Sequence, residues 1–176
     1  EYNHYFWKKF RKVVKEANPN AVILAEHYGD PSAWLRGEEW DSIMNYDAFM
    51  EPVSWFLTGM EKHSDREMPE LFGDGTLFFN TMRYNMAKMP ENAIEASMNQ
   101  LSNHDHSRFM TRTNRRVGRI KAGLDDAATG IDPALFRLGA MLLMTWPGAP
   151  TLFYGDEVGV CGWTEPDCRR PYPWGK

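Results

Sequence analysis

Apolar residues follow two alternating patterns along this chain. Over residues 6–17 they recur every three or four positions between basic side chains, which predicts an amphipathic helix, and residues 18–20, Asn-Pro-Asn, predict the turn that follows it. Residues 21–25 then form a continuous apolar run, which is typical of a strand buried on both faces of a parallel sheet. A helix followed by a short buried strand is therefore the first unit that the pattern predicts.

The same alternation continues to the end of the chain. Short apolar runs at residues 42–44, 96–101 and 151–154 predict three further strands, with helices between them. One of these helices ends at Pro90, and another begins with Asp132 as its N-terminal cap. Strands that alternate with helices predict four parallel βα units, so the fold class is α/β.

The polar segments suggest how the four units are arranged. Residues 111–130 are rich in Arg, Asn, Gly and Asp and are interpreted as an inserted loop. No glycine-rich phosphate loop follows any strand, and acidic residues stand at several strand ends, as in the active sites of (β/α)8 barrels. A complete barrel takes about 250 residues. The 176 residues therefore predict a single domain, residues 1–176, that is half of a TIM barrel.

Composition excludes several functions. A net charge of -4 without a clustered basic surface argues against nucleic-acid binding, and no apolar stretch reaches the roughly 18 residues that a membrane span needs. No Cys or His pair has zinc-ligand spacing, so no metal or other cofactor is predicted in this chain. Cys161 and Cys168 could form a local disulfide, but two free thiols in a reducing compartment are the favoured interpretation, which favours the cytoplasm slightly.

Two acidic residues stand where alternate barrel strands would end. Glu26 follows the first predicted strand and Asp105 follows the third, so both would face the mouth of a barrel. A pair of carboxyl groups across a cleft suits glycosidic bond cleavage, in which one group donates a proton and another stays ionised. A structural ion-pair network would produce the same spacing, and the spacing alone leaves both interpretations open.

Five segments then point to a known family. In order along the chain, they are residues 25–28, 41–46, 102–105, 150–157 and 165–171. Together they resemble the successive signatures of the alpha-amylase superfamily of glycoside hydrolases, and the branch they most resemble contains the neopullulanases, cyclomaltodextrinases and maltogenic amylases. The resemblance covers essentially the whole chain.

The resemblance implies a role for each matching position. Glu26 would be the general acid/base, and Asp105 would hold sugar hydroxyls and stabilise the transition state. His104 would hydrogen-bond the same sugar ring. Tyr28 stands where the family usually has Trp and would give a smaller stacking surface on the leaving-group side, which Tyr46 would also line.

The last segment carries two further implications and one departure. Arg169 matches the family residue that contacts the glycone side, whereas Glu165 replaces the usual Asp of that motif. Cys168 matches the family pattern as a free thiol. The implied substrates are alpha-1,4 and alpha-1,6 glucans, maltooligosaccharides or cyclodextrins.

Two family signatures do not occur in the sequence. The nucleophile would be the Asp of a Gly-x-Arg-x-Asp segment, and the first signature would be Asp-x-x-x-Asn-His. We expect both before Glu1, so that this chain would supply barrel strands five to eight and would be inactive alone. Its partners would be an alpha-glucan substrate and the missing N-terminal half, in which calcium could bind.

A second hypothesis is a non-catalytic half-barrel that binds oligosaccharide or assembles with a partner. A half-barrel leaves two strand edges uncovered, here at residues 22–24 and 151–153, and uncovered edges pair readily. If the chain folds separately, two copies are expected to pair as a homodimer.

Overall fold

Four short strands run parallel through the computed structural model, which describes residues 3–118 and 125–175. The first two strands pair with each other, as do the last two, and a parallel bridge between Met44 and Met98 joins the pairs. The strands therefore lie side by side in chain order. They are β1 (Leu24–Ala25), β2 (Ser42–Ile43), β3 (Met98–Gln100) and β4 (Ala149–Thr151).

Helices separate β2 from β3 and β3 from β4, as predicted, but turns without a helix connect β1 to β2. Short π and 3-10 turns at Tyr46–Met50, Asp125–Ala128, Asp156–Val158 and Asp167–Arg169 connect the larger elements. The α-helices are α1 (His4–Ala17), α2 (Glu51–Thr58), α3 (Gly75–Met86), α4 (Glu91–Glu95), α5 (Phe109–Arg112) and α6 (Pro133–Thr145).

Side-chain caps fix the beginnings of α1 and α6. The Asn3 side chain accepts a hydrogen bond from the backbone N–H of Phe6 at the start of α1. Asp132 accepts from the N–H groups of Ala134 and Leu135 at the start of α6, as predicted. The sequence pattern therefore located both helices correctly.

The prediction that the first strand is buried on both faces is wrong. Only Ile23 is buried there, whereas Val22 and Leu24 are 66% and 41% exposed. Among the described residues, β1 pairs only with β2, so one of its edges and the apolar side chains beside it face solvent. Helix α1, which precedes it, has no buried residue at all.

The last strand begins earlier than predicted. β4 ends at Thr151, and its register with β3 starts where Ala149 N–H donates to the carbonyl of Ser97 at 2.8 Å. The inserted loop predicted at 111–130 begins inside α5, where Thr111 and Arg112 are buried. Residues 119–124 lie outside the described residues, and the insertion stays a prediction.

One apolar core holds β3 against the helices. Buried side chains from α2, α3, α5, α6 and the end of β3 pack together there, so the carboxyl end of β3 has a fixed position. The cluster contains Phe49, Val53, Trp55, Phe78, Met82, Leu101, Phe109 and Leu143. Within the described ranges, no helix combines the length and apolar character needed to cross a membrane.

Candidate active site

The carboxyl ends of β1 and β3 bring three predicted site residues together. Glu26 directly follows β1, and His104 and Asp105 lie four and five residues beyond the end of β3. One potential ligand atom from each of the three side chains lies within 4.8 Å of the other two. Glu26 and His104 are exposed and Asp105 is half-buried, so the cluster is open to a ligand from solvent.

Arg169 completes this cluster from the last segment of the chain. Its Nη2 lies 3.4 Å from Oδ1 of Asp105 and 3.0 Å from Oε2 of Glu165. The guanidinium thus bridges the predicted transition-state carboxylate and the acid that replaces the family's usual Asp. Its position beside Asp105 agrees with a place in the site, and its contact with sugar stays a prediction.

Tyr28 and Tyr46 form a stacked pair beside Glu26. Their ring centroids are 4.3 Å apart and their planes differ by 11°. Tyr28 is 49% exposed, whereas Tyr46 is 1% exposed. Tyr28 therefore presents the aromatic face to solvent and the Tyr46 ring lies buried against it, while the role of Tyr46 in lining the leaving-group side stays a prediction.

The Tyr46 hydroxyl contacts the predicted acid directly. It donates a hydrogen bond to Oε1 of Glu26 at 2.9 Å, and it accepts one from Nδ2 of Asn103 at 3.0 Å. Burial, together with Tyr28 and the Glu26 carboxylate, raises the pKa of Tyr46, so the hydroxyl keeps its hydrogen. Sequence reasoning did not give Asn103 a function, although it stands inside the segment that resembles the family.

Asn103 also organises the turn that carries His104 and Asp105. Its Oδ1 accepts hydrogen bonds from the backbone N–H groups of Asp105 and His106, each at 3.0 Å, and from Nδ1 of His106 at 2.7 Å. His106 is fully buried, and its Nε2 lies 3.4 Å from the Tyr28 hydroxyl. Burial, assisted by the positive charges of His63, Arg112 and Lys62, lowers the pKa of His106 to about 2, so the ring is neutral.

The backbone of His104 is held from the other side by the last described turn. Its carbonyl accepts hydrogen bonds from Sγ of Cys168 at 3.0 Å and from Nε of Arg169 at 2.9 Å. Cys168 and Cys161 are both free and buried, so the free-thiol interpretation is confirmed and the local disulfide is not formed.

A buried ion pair supports that turn, and sequence reasoning missed it. Nη1 of Arg108 lies 3.1 Å from Oδ1 of Asp156, and its Nε donates to the carbonyl of Cys168 at 2.8 Å. Neither side chain exceeds 3% exposure. The pattern of polar residues in the sequence does not show which of them are buried. Nothing in it therefore distinguishes Arg108 from a solvent-exposed arginine.

Two groups in the described ranges have ligand atoms close enough for a metal ion. The first is the Glu26, His104 and Asp105 cluster, and the second is Glu61, His63 and Asp65. In the second group, Oε1 of Glu61 already contacts Nδ1 of His63 at 2.6 Å. Burial acts to raise the pKa of Glu61, but the hydrogen bonds from His63 and the charges of His63 and Lys62 outweigh it and lower the pKa to about 2.

Parallel βα units with acidic side chains gathered beyond the strand ends are the arrangement on which barrel enzymes build active sites. The sequence matches the alpha-amylase catalytic domain over residues 2–171. The chain therefore belongs to the alpha-amylase family of glycoside hydrolases.

Individual relatives agree with this assignment. Neopullulanase 2 of Thermoactinomyces vulgaris is 38% identical over 174 residues, which are 99% of this chain and 25% of the relative. Cyclomaltodextrinase of Thermoanaerobacter pseudethanolicus is 35% identical over 175 residues, with the same coverage. The structure of the cyclic alpha-maltosyl-(1→6)-maltose hydrolase of Arthrobacter globiformis aligns with 99% of this chain at a TM-score of 0.76 and 30% identity. The chain spans 33% of that structure, and hence a quarter to a third of these relatives.

Proposed function

We propose that the full-length protein is a retaining alpha-glycosidase that acts on alpha-1,4 or alpha-1,6 glucans, maltooligosaccharides or cyclodextrins. The observation that carries the proposal is the meeting of Glu26, His104 and Asp105 within 4.8 Å beyond the ends of two parallel strands. The names of the relatives, neopullulanase and cyclomaltodextrinase, support this substrate class.

In the proposed reaction, Glu26 acts first as an acid and then as a base. Its carboxyl group gives a proton to the glycosidic oxygen as the bond from that oxygen to the anomeric carbon breaks, while a nucleophile outside this chain bonds to the anomeric carbon. In the second step, Glu26 takes a proton from the water or sugar hydroxyl that displaces the nucleophile. Asp105 and His104 hold the sugar hydroxyls, and the Asp105 charge stabilises the oxocarbenium-like transition state.

The uncovered surfaces support the proposal that the chain is half of a barrel. A cavity of about 330 Å³ lies between α1 and β1, and its lining consists of apolar residues together with Glu26. On the opposite side, Leu152 beside β4 is 49% exposed, and Met141 and Met144 of α6 are more than half exposed. A preceding and a following βα unit would cover both sides and would bring the nucleophile to the cluster.

The proposal predicts a specific effect of Glu26→Gln in the full-length protein. The amide keeps the shape of the side chain but has no proton to give, so activity on maltooligosaccharides should fall about 100- to 10,000-fold. A glycoside with an activated leaving group needs little protonation, and its glycosylation rate should be largely spared. Equal losses on both substrates, with substrate binding intact, would show that Glu26 is not the acid.

A second test separates Asp105 from the nucleophile. Carboxyl oxygens of Glu26 and Asp105 lie within 4.8 Å of each other, and the acid and nucleophile of a retaining enzyme are also close together, so proximity alone does not assign the roles. The proposal places the nucleophile elsewhere, and the isolated chain should therefore have no turnover. A mechanism-based fluoroglycoside should label a carboxylate outside this chain, and a label on Asp105 would reverse the assignment.

A further inference from the structure

We infer that Asn103 and Tyr46 are positioning residues that fix which oxygen of Glu26 carries the catalytic proton. The inference rests on the proposed function, because it assigns how the acid of that reaction is held. A chain of directed hydrogen bonds runs from Asn103 through Tyr46 to Glu26.

The first step is the orientation of the Asn103 amide. Two backbone N–H groups, those of Asp105 and His106, point at one terminal atom of this side chain. A backbone N–H can only donate, so the atom that they contact must be the amide oxygen. The other terminal atom is then the NH2 group, which faces the Tyr46 hydroxyl at 3.0 Å.

The second step is the orientation of the Tyr46 hydroxyl. Since the Asn103 NH2 group has no acceptor lone pair, the phenolic oxygen must accept from it. Its single hydrogen then has two acceptors, Oε1 of Glu26 at 2.9 Å and the thioether sulfur of Met44 at 3.7 Å. The thioether is a weak acceptor, so the hydrogen points to the carboxyl oxygen. Tyr46 is 1% exposed, so water does not compete for this hydrogen.

The hydrogen bond from Tyr46 determines which oxygen of Glu26 carries the proton. Oε1 accepts the Tyr46 hydrogen, and in a protonated carboxyl group the carbonyl oxygen is a better acceptor than the hydroxyl oxygen, so Oε1 is assigned as the carbonyl oxygen. The proton therefore resides on Oε2, the oxygen without a Tyr46 contact. Asn103 also sets the turn that carries Asp105, so one amide aligns both predicted catalytic carboxylates.

His106 reinforces this arrangement without touching Glu26. Its Nδ1–H donates to the Asn103 oxygen at 2.7 Å, which leaves Nε2 as the acceptor that faces the Tyr28 hydroxyl. Tyr28 in turn stacks on Tyr46. The amide and the phenol therefore have little freedom to rotate away from the acid.

The direct test is Tyr46→Phe in the full-length protein, which keeps the stacked ring and removes only the hydroxyl. Activity on maltooligosaccharides should fall about 10- to 100-fold, because Glu26 gains negative charge as it gives up its proton and would lose one hydrogen bond to that charged form. Activity on an aryl glycoside with an activated leaving group should fall less than about threefold. Tyr84→Phe is the matched control, because Tyr84 is an exposed residue of α3 outside the site, and it should leave both activities unchanged.

Asn103→Asp tests the direction of the hydrogen bonds. The substitution keeps an acceptor for the two backbone N–H groups but replaces the NH2 donor by a second acceptor oxygen, to which the Tyr46 hydroxyl would then turn. The same split between the two substrates is expected although the turn stays intact. Combining Tyr46→Phe with Glu26→Gln should cause little loss beyond that of Glu26→Gln alone, because both changes act on one proton transfer.

These measurements distinguish a failure of the proposed function from a failure of the inference about Tyr46 and Asn103. If Glu26→Gln fails to distinguish the two substrates, the proposed function itself is wrong. If Glu26→Gln distinguishes them but Tyr46→Phe lowers both activities equally, or adds its full effect to that of Glu26→Gln, then Tyr46 only supports the fold and the inference is overturned.

Discussion

His106 shows how a buried ionisable residue can serve a site while staying neutral. Its ring is fully buried, it donates to Asn103, and its pKa lies near 2. In the unfolded chain a histidine has a pKa of about 6.5. The folded state therefore binds fewer protons than the unfolded state below that pH, and folding stability falls as the pH falls from about 6.5 toward 2.

We predict that His106→Gln weakens this pH dependence in the full-length protein. The glutamine amide has no charge to gain, so the slope of unfolding free energy between pH 6.5 and 4.5 should decrease by up to about 1.4 kcal/mol per pH unit. Below pH 4.5 the lowered pKa of Glu61 adds a loss of the same sign in both proteins. Thermal melts across this range measure the slope, and parallel curves for the two proteins would contradict the prediction.

At the scale of elements, the pair of Arg108 and Asp156 ties the turn after β4 to the start of α5. Burial raises the pKa of Asp156, and the Arg108 charge acts against that rise and keeps the pair favourable. Phe153 lies under the guanidinium, with its ring centroid 4.0 Å from Cζ of Arg108. Removing Asp156 would leave the fully buried guanidinium of Arg108 without this ion-pair partner.

We predict that Asp156→Ala destabilises the full-length protein by about 3 to 5 kcal/mol, because Arg108 becomes an unpaired buried cation. Asp132→Ala, which removes the cap of α6, is the matched control and should cost about 1 kcal/mol. The double variant Arg108→Met with Asp156→Ala should recover much of the loss. Comparable shifts in thermal midpoint for Asp156→Ala and Asp132→Ala would show that the ion pair is not important.

The sequence predicted elements better than it predicted their surroundings. The apolar stripes and the Asp132 cap located α1, α3 and α6, since those signals lie within a few residues of their effects, although α3 ends at Met86 rather than at Pro90. Burial of β1 and of Tyr46 depends on which elements lie beside them, and no local pattern contains that information. Likewise, the resemblance selected Glu26, His104 and Asp105. The hydrogen bonds of Asn103 and His106 and the ion pair of Arg108 became visible only in the structure.

At the scale of the whole molecule, α1 and β1 expose an apolar surface that a monomer of residues 1–176 would leave in water. Phe6, Phe10 and Val13 of α1 are each more than 40% exposed, beside the open edge of β1. Unpaired strand backbone next to apolar side chains favours association. We therefore propose that this chain, if it is prepared alone, pairs with a second copy through these edges.

The prediction is that residues 1–176 associate at micromolar concentration, as measured by light scattering or sedimentation. Val22→Lys, which puts a charge on the exposed residue beside β1, should weaken the association, because a desolvated lysine opposes edge pairing. Tyr84→Lys is the matched control, because it puts the same charge on an exposed residue of α3 and not on β1 or β4. A well-folded monomer without aggregation would reject the proposal.

The burial of the two cysteine thiols determines how they react with alkylating reagents. Burial raises the pKa of Cys161, and it raises that of Cys168 to about 11, so neither residue offers thiolate to an alkylating reagent near neutral pH. Cys168 also holds the carbonyl of His104. We therefore expect Cys168 to be alkylated mainly when this turn separates from the His104 backbone, so its labelling rate would measure how often the candidate site opens.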